Sequence, residues 1–236
     1  MPSLETLGYA FIGGLLPALV WLYFLLKEEE RCPQPRSVVF ATFVAGMLAV
    51  PLVIPFEELA VHSLPMTIPV IIAWATIEET VKYIAAALII LTFQTATRNA
   101  VDLVITMITI ALGFAAVENG LFLLDPLSQG HFITGLVTNN LRFVGATLLH
   151  VVASSAIGFA LAFSYNAPRK VRMFAASFGL ILAIGLHGLF NYFIIQEDGT
   201  KTILAFFTVW TGAIVLFATF EILKYLEYRH LSKNTC

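Results

Sequence analysis

The chain has 236 residues, of which 59% are hydrophobic and 12% charged, and its formal net charge is −2. A mean hydropathy of +0.88 lies far above that of a domain with a water-facing surface, so a soluble fold is excluded. A near-neutral balance of 13 basic and 15 acidic residues offers no basic face for nucleic acid.

Apolar windows able to cross about 30 Å of hydrocarbon, at roughly 20 residues each, fall near 4–26, 38–55, 68–93, 101–124, 135–163, 173–195 and 202–224. Polar or proline-rich punctuation separates them at 27–36, 56–65, 94–99, 125–131, 165–170 and 196–201. These windows predict an all-α polytopic membrane bundle of about seven spans, as one integral membrane domain over 1–236 with its core at about 68–195. The first span lacks a basic leader and a small-residue cleavage site, so it is expected to be a retained helix. Glu57, Glu58 and His62 fall between windows and read as a solvated loop. Asn99 has the character of an N-cap for the fourth helix, and Asp125 before Pro126 reads as a helix stop.

Basic residues orient the bundle. With the N-terminus outside, the inner loops and tail hold Lys27, Arg31, Arg36, Arg98, Arg169, Lys170, Arg172, Lys224, Arg229 and Lys233, against Lys201 outside. The positive-inside rule therefore gives N-out, C-in. Cys32 and Cys236 would then face the reducing side, and no disulfide is expected. Arg142 reads as a side chain snorkelling to the outer interface.

Glu78, Glu79, Lys82, Glu118, His150 and His187 interrupt runs that are otherwise apolar. Each charge at mid-membrane costs roughly 2.5 to 3.5 kcal/mol, so such residues need partners, a cavity or an ion. Counted along their helices, Glu78, Glu118, His150 and His187 share one depth, roughly 10–15 Å from the outer surface. Glu78 with Lys82, Phe114 with Glu118, His150 with Ser154 and His187 with Asn191 are i,i+4 pairs, each on one helical face. Glu79 is about 100° around the helix from Glu78, so the two carboxylates need not share a partner. Phe114, Ser154 and Asn119, taken singly, read as packing or interhelical hydrogen bonding. Gly113, Gly158, Gly185 and Gly188 predict a tight four-helix core of the third to sixth spans, with the other three spans as outer support.

The segments EETVK at 78–82, FAAVEN at 114–119, HVVAS at 150–154 and HGLFNY at 187–192, in this order on successive spans, resemble the PrsW family of intramembrane proteases. That family is similar in turn to the CAAX prenyl endopeptidases and their bacterial relatives. The resemblance covers about 80–195 and departs from the endopeptidase pattern at Glu118, where that group has His. It implies an intramembrane protease of a bacterial or archaeal cell membrane. The implied substrate is a membrane-anchored protein cut near the outer face, such as a membrane-tethered anti-sigma factor.

Proteolysis by activated water assigns roles to the residues. Glu78 is the expected general base, with Lys82 holding it or pairing with Glu79. Glu118, His150 and His187 are the donor types of a catalytic zinc site with one open position. Asn191 is placed to stabilise an oxyanion or brace the site. A metal-free route keeps Glu78 as base, with His187 and Asn191 on the oxyanion. From other classes, the same residues also suit a proton- or ion-coupled transporter, although no paired half-repeats are evident, or a non-catalytic binding or immunity protein. Oligomeric state is not encoded in any of these features.

Overall fold

Backbone groups in lipid can be satisfied only within the chain, so each long apolar stretch folds as a helix. In this computed structural model the described residues are 2–29, 32–65, 68–196 and 199–229. They form seven helices and no strand: α1 Leu4–Glu28, α2 Arg36–Ser63, α3 Ile68–Thr92, α4 Ala100–Ser128, α5 Phe132–Phe163, α6 Arg169–Ile195 and α7 Gly199–Tyr228. All but α3 are long and apolar enough to cross a membrane. Helix α3, at 25 residues, is of spanning length, yet any stretch of it long enough to cross includes Glu78, Glu79 and Lys82.

Local chemistry sets several of the ends. Ser3 Oγ accepts the Thr6 N–H to cap α1, and Asn99 Oδ1 accepts the Asp102 N–H at 3.0 Å, the expected cap of α4. Two helices run further than the sequence suggested. Helix α2 continues through Pro51 and Pro55 to Ser63, which makes Glu57, Glu58 and His62 helical rather than loop. Helix α4 continues past Asp125 and Pro126 to Ser128. In α5 a π-turn at Arg142–Ala146 closes with Thr147 N–H donating to Arg142 O; this extra residue turns the helix face just before His150.

Helix α4 is the axis of the bundle and is buried along nearly its whole length. Gly113, one of the anticipated glycines, allows one of the closest approaches, and Gly14 and Gly46, which were not anticipated, allow the others. A Cβ at Gly14 would collide with the Ala116 carbonyl, one at Gly46 with the Ile110 carbonyl, and one at Gly113 with the Phe43 carbonyl. Helices α1 and α2 are thus pressed against α4 by backbone contact and are not a loose outer layer. Gly158 does lie tight against Val104, but a Cβ at Gly185 would meet nothing and one at Gly188 only the Ala75 methyl at 3.9 Å. At the opposite end from the ionisable cluster, Arg98 binds Asp102 and the Cys32 carbonyl. Gln34 reaches the carbonyls of Ala96 and Asp102. Cys32 is disulfide-bonded, contrary to the expectation from topology. The chain's other cysteine, Cys236, lies outside the described residues. Lys224 near the end of α7 binds the Glu28 carbonyl at 3.1 Å and brings this end of α7 to the end of α1.

Candidate metal and catalytic site

Helix α3 presents Glu78, Glu79 and Lys82 on adjoining faces, and all three are buried, Lys82 and Glu79 completely. The Lys82 ammonium is the centre of the cluster. It lies 3.2 Å from Glu78 Oε2, 2.8 Å from Glu79 Oε1 and 2.8 Å from His150 Nδ1, with the Phe114 ring 4.1 Å below it. The two carboxylates therefore share one cation, which their angular separation did not require; a flexible lysine reaches both i−3 and i−4.

Glu79 has the fuller set of partners. Its Oε1 accepts from Lys82 and from His187 Nδ1 at 2.8 Å, and its Oε2 accepts the Ser154 hydroxyl at 2.7 Å. Glu78 has Lys82 alone as a close partner and lines a cavity of about 780 Å³ bounded by α2 to α7. Glu79 is placed to brace, and Glu78 faces the space where another molecule fits.

The two imidazoles are held in a related way. Lys82 donates to His150 Nδ1, which leaves the proton on Nε2, and Nε2 donates to Glu118 Oε2 at 2.7 Å. His187 gives its Nδ1 proton to Glu79. Each ring thus has one nitrogen fixed by a carboxylate and the other turned towards Glu78: His150 Nδ1, which accepts from Lys82, lies 3.9 Å from Glu78 Oε2, and His187 Nε2 lies 3.8 Å from Glu78 Oε1. A carboxylate behind each histidine fixes tautomer and ring angle in the manner usual for metal-ligating imidazoles.

Glu118 stands at the rim. Its Oε2 meets Arg142 Nη2 at 2.8 Å as well as His150, while Arg142 Nε donates to Asn119 Oδ1 at 2.6 Å and Asn119 Nδ2 donates to Thr147. The Arg142 guanidinium also stacks on Phe122 at 3.8 Å. Arg142 does not snorkel; the π-turn of α5 aims it across to α4. Asn191 lines the same cavity from α6.

Three acidic or imidazole side chains offer ligand atoms that all lie within 4.8 Å of one another, namely Glu78, His150 and His187. Of the set anticipated from the sequence, His150 and His187 belong to this group, whereas Glu118 bonds the other ring nitrogen of His150, Nε2. Donor chemistry fits a divalent cation: two imidazole nitrogens face one carboxylate, although Lys82 would have to release His150 Nδ1 to a bound ion, in a cluster where Glu78, Glu79 and Glu118 outnumber Lys82 and Arg142 by one charge. Ser154, Asn119 and Arg142 belong to the site although single-residue reasoning set them aside. The i,i+4 relation of Ser154 to His150 was the available signal. Glu57 was also missed; it lines the cavity from α2.

Taken together, the fold and the cluster define a multi-pass membrane protein with a buried carboxylate–imidazole centre of the kind that can hold a metal and activate water. Residues 34–220 match the family described as PrsW family intramembrane metalloprotease, and the chain belongs to that family. No curated protein and no solved structure matches the chain.

Proposed function

We propose that the enzyme hydrolyses a peptide bond of a membrane-anchored protein by water activated at Glu78, in the outer half of the bilayer with the N-terminus outside and the C-terminus inside. The observation that carries this reading is the convergence of Glu78 with His150 Nδ1 and His187 Nε2 on one side of the cavity. Glu78 takes the water's proton. Glu79 fixes His187, Glu118 fixes His150, and Lys82 is the counter-charge that the carboxylate pair shares. Asn191, on the α6 wall of the cavity, donates its amide to the oxygen that becomes negative as water adds.

The residues that would hold a metal are Glu78, His150 and His187, with zinc the ion best suited to that donor set. Such an ion, when bound, supplies a water of lowered pKa and a Lewis acid for the carbonyl. On this reading Glu118 serves as the carboxylate behind His150. Apolar walls on α2, α3 and α4 admit a substrate segment already in the membrane. Together with the family this supports a regulatory, membrane-tethered substrate in a bacterial or archaeal cell membrane, a tethered anti-sigma factor being one such protein.

The test uses purified enzyme in liposomes with a single-span reporter protein, its products read by mass spectrometry. Wild type is expected to release a fragment ending in the outer half of the reporter's span, and Glu78→Gln to release none. Equal cleavage by both would assign the water to another group.

A further inference from the structure

Three carboxylates line the cavity: Glu57, Glu78 and Glu118. Two have a cation at ion-pair distance, Glu78 with Lys82 and Glu118 with Arg142. Among the described residues Glu57 has none. Its position is nevertheless set by the fold. Val50, Val53, Ile54 and Glu57 follow one another at i, i+3, i+4 and i+7, a single face of α2, and all four line the cavity. The Trp74 indole of α3 donates to the Glu57 carbonyl at 3.3 Å and fastens that turn of α2 to α3.

A carboxylate partly withdrawn from water, on a backbone held in place and with no cation beside it, gains when a cation arrives, because part of its desolvation cost is already met. Arg142 and Lys82 are both committed elsewhere in the cluster. Among the described residues no further lysine or arginine lines the cavity, which leaves the cation to come with a bound molecule.

Resting on the protease reading above, we propose that Glu57 is a specificity-determining residue that binds a lysine or arginine side chain of the substrate, outward of the bond that is cut. Depth gives the offset. Glu57 is six residues from the Ser63 end of α2 and Glu78 ten from the Ile68 end of α3, about 9 Å and 15 Å along their axes, and the two ends are joined by a short connection. The difference of about 6 Å corresponds to about two residues of extended substrate. Substrates with a basic residue one to three positions outward of the cleaved bond fit this cavity, and those with an acidic residue there meet Glu57 as a like charge.

The experiment uses single-span reporters carrying Lys, Gln or Glu at each of the three positions on the outer side of the cleaved bond. Each is reconstituted in phosphatidylcholine liposomes, so that bilayer charge does not favour one of them, with wild type, Glu57→Gln or Glu57→Lys. Wild type is expected to prefer Lys over Glu at one position by about tenfold or more in kcat/KM, the effect of one charge-assisted contact. Glu57→Gln should bring that ratio near one, and Glu57→Lys should invert it. The same ratio in all three enzymes overturns the proposal, as does a Glu57→Gln enzyme that loses every reporter alike, which would make Glu57 part of the chemistry or of the fold. If wild type cuts none of the reporters, the protease reading fails first and the subsite with it. Cleavage with no charge preference removes the subsite alone.

Discussion

Ser154 donates its hydroxyl to Glu79 at 2.7 Å across 75 residues of sequence and ties α5 to α3 beneath the cavity. With Lys82 and His187 it fills three of the about four lone-pair sites of a carboxylate that is fully buried. Glu79→Gln is therefore expected to damage the fold as well as the reaction. It removes a charge that Lys82 and His187 both face, and breaking a buried pair costs about 3 to 5 kcal/mol. Ser154→Ala should cost less, about 1 to 3 kcal/mol, the loss of one buried hydrogen bond. Melting in detergent ranks the two; a Glu79→Gln protein as stable as wild type would remove Glu79 from its bracing role.

Metal content separates ligands from the groups behind them. Ala at His150 or His187 should abolish stoichiometric metal in protein purified and analysed by mass spectrometry, since a three-donor site has no spare ligand. Gln at Glu118 should leave metal bound but weaken it by about 10- to 100-fold, the usual loss for a residue that orients a ligand. Loss of metal in the Glu118 variant equal to that in the histidine variants would make Glu118 a direct donor.

Glycine substitutions test how the bundle closes. Gly113→Ala forces a methyl onto the Phe43 carbonyl, a backbone atom that cannot swing aside, and should destabilise by about 1 to 3 kcal/mol or more. Gly185→Ala meets nothing within 4 Å and should be neutral or stabilise by up to about 1 kcal/mol through helix propensity. Similar melting shifts for the two would contradict the contact between α2 and α4.

Glu29, just beyond α1, is 1% exposed. Burial, and next the Asp102 carboxylate, push it up to about 8 from an ordinary 4.5. The folded protein then keeps a proton that the unfolded chain releases above about 4.5. Stability should be greatest below that pH, fall by about 1.4 kcal/mol per unit as pH rises towards about 8, and level off above it. Melting from pH 4 to pH 9 should show this slope in wild type and lose it in Glu29→Gln. An unchanged slope in the variant would place the titration elsewhere.

The long apolar helices, and the meeting of Glu78, Glu118, His150 and His187 at one cavity, were legible because hydropathy and a 1.5 Å rise per residue are local properties. Lys82 was legible as a partner through i,i+4 spacing, though not as one shared by both carboxylates. Glu57 was hidden because Pro51, Pro55 and the acidic pair end the hydropathy window, while the helix itself runs on for two more turns. Its i+7 relation to Val50 was the clue. Arg142 was misread because a π-turn shifts the face of α5 by one residue, and no pattern in the sequence announces that turn. Gly14 and Gly46 look unremarkable in their own segments; their value lies in which carbonyl they approach, a property of the assembled bundle.

The account stands most directly on which of two cavity-lining carboxylates does the chemistry. Turnover of a membrane-anchored reporter by Glu78→Gln and Glu118→Gln, measured side by side in liposomes, decides it. A lost general base lowers the rate by about 10² to 10⁴, so the Glu78 variant should be silent. The Glu118 variant, with only the support of His150 impaired, should retain measurable turnover. Near wild-type turnover in Glu78→Gln with a silent Glu118→Gln would contradict the account.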